Sequence, residues 1–197
     1  HFVRRRQRQM CIRDSLWIGT INNELKSRAG SLYCISSDLK FKKKLTNISV
    51  SNGIAWTSNY RKMYFIDSPT QEIKAYNFNQ KKNQIEFQKV VIKVPFELGT
   101  PDGMSIDKNG NLWIAHYGGY GIYCWSPKTG KIIDSIKLPA RDITSCCFGG
   151  ENLNYLLVTS ATQSLSKKNL IESPHSGHTF LIKLDVEGIL PNKFVYI

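Results

Sequence analysis

Two oxygen-bearing side chains stand at matching places in the chain. Asn52 is the second residue of SNGIAW (51–56), and Asp102 is the second residue of PDGMSI (101–106). Thr144 holds the same place in ITSCCF (143–148). An amide oxygen and a carboxylate brought together suit a hard divalent cation such as calcium, which takes oxygen ligands. Gly53 and Gly103 follow directly, and glycine lets the backbone turn tightly. Asn-Gly and Asp-Gly are also ordinary turn dipeptides. The pair therefore acquires chemical meaning only if the fold sets the two side chains beside each other.

The elements that must position them belong to a repeat. SLWIGT (15–20), KMYFIDS (62–68), NLWIAHY (111–117) and NYLLVTSAT (154–162) are equivalent apolar runs. With Leu16, Met63, Leu112 and Tyr155 aligned, the spacings are 47, 49 and 43 residues. Each run has a partner downstream that alternates apolar and polar residues: SLYCIS, EIKAYNF, GIYCWSP and TFLIKLD. Period two marks half-buried strands. After the first three partners come KFKKKLTN, IEFQKVVIKV and KIIDSIKLP, with Lys128-Thr129-Gly130 as a hairpin turn before the last. SNGIAW, PDGMSI and ITSCCF each precede a copy. Four strands per ~40–50 residues is the pattern of a β-propeller blade. The first strand of each blade lines a central channel, so Asn52, Asp102 and Thr144 would meet at one mouth of it. Trp17, Trp56, Trp113 and Trp125 fall in strands and would fill the space between blades.

The 197 residues suffice for one domain with a core. The formal charge is +12, which raises a nucleic-acid partner. Five of the 27 basic residues precede Asp14, and without residues 1–14 the charge is +8. The remaining lysines sit in turns beside Asn and Gln rather than among stacking aromatics, so a solvated surface and no nucleic-acid partner are expected. No apolar run approaches the ~18 residues of a membrane span, and no apolar stretch follows the N-terminal arginines. A cytoplasmic protein without a membrane partner is expected. The five cysteines lack a C-x-x-C spacing and read as buried free thiols in a reducing compartment. His175 and His178, in SPHSGHTF, read as a solvated loop in the absence of a helical pattern. His116 is a candidate substrate contact at the channel mouth. Asp67 reads either as a support for the site or as a turn acid.

SNGIAW, YFIDS, PDGMSID-x-x-GNLWIAHY, WSPKTGKIIDSIKLP and TSCCFGG, in this order, resemble the senescence marker protein-30, regucalcin or gluconolactonase family. The resemblance runs from Leu16 to the C-terminus. It implies an all-β, six-bladed propeller, of which about four blades are present in residues 15–197. It also implies hydrolysis of a small sugar lactone with one divalent cation: calcium, zinc, manganese or magnesium. Position by position, Asn52 and Asp102 match metal ligands, Asp102 also matches the general base, and Glu24 in GTINNE matches a substrate-binding Glu. Thr144 matches no established ligand. The alternative is a non-catalytic propeller that binds calcium or a partner protein.

The family's first-blade metal-binding Glu and its Arg-x-Asn-Asp substrate segment have no match here. In their place stands HFVRRRQRQMCIRD, a basic segment without a strand pattern that fits the family. RQRQMCIRDS reads like translated sequencing-adapter sequence joined to a truncated gene. Four repeats of six would leave strand edges and blade faces unpaired, so aggregation, marginal stability and weak metal binding are expected.

Overall fold

The computed structural model describes residues 9–12, 15–24, 26–163, 165–192 and 194. Strands β1 (Gln9–Ile12), β2 (Ser15–Gly19), β3 (Gly30–Ser36) and β4 (Phe41–Ile48) form one antiparallel meander. A second comprises β5 (Ser51–Trp56), β6 (Lys62–Asp67), β7 (Glu72–Asn79) and β8 (Gln84–Lys93). A third comprises β9 (Thr100–Ile106), β10 (Leu112–Tyr117), β11 (Gly121–Ser126) and β12 (Lys131–Lys137). β13 (Asp142–Gly149), β14 (Tyr155–Ala161) and β15 (Thr179–Lys183) continue from it through a single pairing, Tyr117 with Asp142. One short helix, α1 (Lys167–Glu172), lies between β14 and β15. The all-β arrangement is consistent with a partial β-propeller.

Two features differ from the expectation. Gln9–Ile12, in the segment set apart as strandless, pairs with β2 in the register Gln9 to Ile18. The neighbouring strand supplies a hydrogen-bonding edge, and this overrides the absence of a periodic pattern. Cys147 is exposed, whereas Cys34, Cys124 and Cys146 are buried free thiols; alternation along β13 turns Cys146 into the core and its neighbour out of it.

In the second, third and fourth units burial falls from the first strand to the last. β5 buries Ser51 and 53–56, while most of β4, β8 and β12 is exposed. That gradient explains why the inner strands read as near-continuous apolar runs and the outer ones carry the lysines. Alternate residues serve opposite faces. On β6, Met63 and Phe65 join Trp17, Leu32, Trp56 and Phe78, while Tyr64 and Ile66 join Met104, Leu112 and Ile114. The cores therefore lie between successive units. Trp17 meets Trp56 edge-on at 5.7 Å, and Trp113 meets Phe148 at 6.1 Å. Each fully buried Ile, Leu or Phe contributes about 1.5–3 kcal/mol.

Buried polar groups fix the connections. Asp67 accepts hydrogen bonds from the backbone N–H of Ser49 and, at 2.8 Å, of Val50. It thereby locks the crossing from β4 to β5, so its acid serves the chain path. Asp107 accepts from the Asn111 N–H at 2.8 Å and from Trp113 Nε1 at 3.1 Å.

His116 stands opposite Pro101, at the end of β9 that bears Asp102, but its side chain does not face open space. It is 0% exposed. Its Nδ1–H donates to the Leu98 carbonyl at 2.9 Å, and Nε2 accepts from Trp125 Nε1–H at 3.3 Å. Both nitrogens are thus used in the neutral ring. Burial holds its pKa down at about 4, from 6.5, against the Leu98 bond and with the Lys137 charge. The unfolded chain binds this proton near pH 6.5 and the folded one only near 4. Stability is therefore full above pH 6.5 and lost as pH falls through that window, by on the order of 3 kcal/mol. Thermal melts from pH 7 to 4 should show this decline, and His116→Gln should flatten it. The same slope in both proteins would contradict the assignment.

Candidate functional site

Asn52 and Asp102 lie on adjacent inner strands at the same end. A methyl group on Gly53 would stand 2.8 Å from the Asp102 carbonyl oxygen and 3.0 Å from the Met104 nitrogen. β5 and β9 thus touch through their backbones at this point, and a side chain there would force them apart.

Each inner strand also breaks its ladder here. In β5, Asn52 and Gly53 oppose the single residue Ile66. In β9, Asp102 and Gly103 oppose Ala115. In β13, Thr144 is the extra residue between Ile143 and Ser145. A β-bulge bends the strand and re-aims a side chain. Three irregularities at one level single out the three positions that the repeat aligns.

Ser68 ties the first two together. Asn52 Nδ2 donates to Ser68 Oγ at 2.6 Å, and the Ser68 hydroxyl donates to the Pro101 carbonyl at 2.7 Å. A hydroxyl has one proton to give. With that proton on Pro101, Ser68 can only accept from Asn52, which fixes the amide with Nδ2 toward Ser68 and Oδ1 turned away from it. The relay ends on the residue before Asp102, whose side chain is buried at 6% exposure. Ser68 was not singled out from sequence; its signal is a hydroxyl one residue after the strand in KMYFIDS.

The other expected residues are placed differently. Thr144 Oγ1 is bonded to the Thr159 carbonyl at 3.1 Å and lies 2.8 Å from Thr159 Oγ1, across its own sheet. Glu24 lies in the β2–β3 connection with its side chain 71% exposed, and its carboxylate pairs with Lys26 at 2.6 Å. Antiparallel pairing puts that connection, and the one between β14 and β15, at the end where β5, β9 and β13 begin. From that end a cavity of about 380 Å³ runs along the inner strands, lined by Gly53, Gly103 and Ser145 and further along by Trp56, Ile106 and Phe148, and Asn52, Asp102 and Thr144 lie outside its lining. At its other end Tyr60 donates to Asn192 Oδ1 at 2.7 Å. Among the described residues no cluster of three or more His, Cys, Asp or Glu side chains forms, and no helix is long and apolar enough to cross a membrane.

The all-β meanders, with Asn52 and Asp102 at bulges on adjacent inner strands, are consistent with a partial β-propeller. Residues 10–162 match the family model described as "SMP-30/Gluconolactonase/LRE-like region", and the chain belongs to this family. It is 37% identical to the regucalcin of Bos taurus over 168 residues, covering 85% of this chain and 56% of that protein. The chain thus spans little more than half of that relative's length. Its structure is similar to a luciferin-regenerating enzyme, with TM-score 0.86, 32% identity and coverage of 99% of this chain and 67% of that one. It is also similar to a regucalcin from Agrobacterium tumefaciens titled a calcium-binding protein, with TM-score 0.85, 26% identity and coverage of 97% and 65%.

The contact at Gly53 gives a direct test. Gly53→Ala should destabilise the chain by about 1–3 kcal/mol, read as a lower denaturant midpoint. An unchanged midpoint would show that β5 and β9 do not approach as described.

Proposed function

We propose that the chain carries the cation-binding and base-bearing part of a divalent-metal-dependent sugar-lactone hydrolase. The lactone is the substrate implied by the gluconolactonase family, and the propeller is of the six-bladed kind with about four blades in residues 15–197. The observation that supports this reading most is the relay from Asn52 through Ser68 to Pro101, which orients an amide oxygen beside the strand that bears Asp102.

The donor chemistry fits a hard cation. The Ser68 contact holds the amide by its nitrogen, and amide and carboxylate oxygens are donors that suit such an ion, Asp102 adding a buried carboxylate. Asn52 Oδ1 and Asp102 would hold the ion. A bound cation would supply polarisation of the lactone carbonyl. Asp102 would take the proton from the water that attacks the carbonyl carbon. The C–O bond to the ring oxygen then breaks, and that oxygen leaves as the hydroxyl of the open acid. Glu24 would orient sugar hydroxyls after exchanging Lys26 for them.

The alternative, a non-catalytic propeller that binds calcium or a protein, draws support from Glu24, whose carboxylate is engaged by Lys26 at the surface. Hydrolysis of gluconolactone above its spontaneous rate, followed in a pH-stat, separates the two. Asp102→Asn should lower the rate by ~10²–10⁴-fold, the range of general-base contributions. Hydrolysis undiminished in that variant would reject the enzyme reading.

A further inference from the structure

The β14–β15 connection holds a second constellation that the lactonase reading does not use. His175 and His178 are the first and last residues of a turn closed by the His178 N–H on the His175 carbonyl at 3.1 Å. Gly177 takes φ +86, the positive value that a type II turn needs at its third residue. Ser160, at the end of β14, anchors this turn twice. Its hydroxyl donates to the His178 carbonyl at 2.8 Å and accepts from the Gly177 N–H at 2.9 Å.

The anchored turn presents both imidazoles to one point. The two Nδ1 atoms lie 3.4 Å apart, and the ring centroids are 5.2 Å apart with planes inclined at 71°. As a hydrogen bond, 3.4 Å is longer than the usual 2.7–3.2 Å. As a chelate bite it fits: zinc–nitrogen bonds of about 2.0–2.1 Å at a tetrahedral angle separate the nitrogens by about 3.3–3.4 Å. Both residues are exposed, so an ion can reach them.

The geometry points to a two-imidazole chelate at His175 and His178 for a divalent transition metal of the zinc, copper or nickel class. Imidazole selects these borderline cations, whereas the oxygen donors at Asn52 and Asp102 suit calcium or magnesium. Each ring binds in its neutral form through the Nδ1 lone pair, with its proton on Nε2. Among the described residues no third His, Cys, Asp or Glu joins the pair. Water or an incoming ligand completes the coordination shell, and a bound ion braces the connection at the end of the sheet where Asn52 and Asp102 stand.

Zinc titrated calorimetrically into the full chain, with excess calcium present, tests this. His175→Ala and His178→Ala should each weaken one zinc site by at least about tenfold, by loss of a ligand. Gly177→Ala keeps both imidazoles but strains the turn, and should also weaken it. Asp102→Ala should leave this zinc in place, which keeps the test separate from the lactonase reading. Zinc binding unchanged in the histidine or glycine variants, or lost with Asp102→Ala, would overturn the proposal. Copper resonance spectra of the unaltered chain give a second reading that does not depend on the variants folding. Coupling to two imidazole nitrogens is expected, and its absence would overturn the site.

Discussion

The backbone contact between β5 and β9 at Gly53 sets the rest of the structure. Two inner strands can approach this closely only where one lacks a side chain, since a Cβ would fall 2.8 Å from the Asp102 oxygen. That approach puts Asn52 and Asp102 at one level, each at a bulge in its ladder. Ser68 then spans the gap and fixes the amide by the count of protons it can give. The arrangement follows from a glycine, a serine and one surplus residue per strand.

Around it, the fold is held by apolar layers between successive units rather than by one central core. Alternation along β6 and β10 feeds two different layers at once. The two middle units are therefore stabilised by a neighbour on each side, as in other stacked-repeat proteins. The polar groups buried in these layers are structural. Asp67 and Asp107 take up backbone and indole N–H donors. His116 bridges Leu98 and Trp125 with both ring nitrogens. Their burial resembles that of a catalytic group, and only the completeness of their hydrogen bonding separates them from one.

Much of this was legible in the sequence. The strands fall within a residue or two of the alternating runs, because period two records which side of the sheet is buried. The matched positions of Asn52 and Asp102 were readable because two of the repeats place a polar residue before a glycine at the start of the strand. The bulges were not readable, since an extra residue in a ladder leaves no mark on hydrophobicity. Ser68 escaped because a lone hydroxyl gains a role only from the carbonyl of a distant residue, Pro101. Strand β1 was missed because its pairing comes from β2 and not from its own pattern. The meeting of His175 and His178 depends on a turn anchored by Ser160, and spacing alone could not express it.

The central claim is that Asn52 and Asp102 act as one cation site. Calcium affinity measured for the chain, Asn52→Ala, Asp102→Ala and the double variant tests it most directly. The expected result is roughly 10–100-fold weaker binding in each single variant. The double variant should be little worse than Asp102→Ala alone, as for residues that share a partner. No calcium binding by the unaltered chain, or losses that simply add, would contradict it.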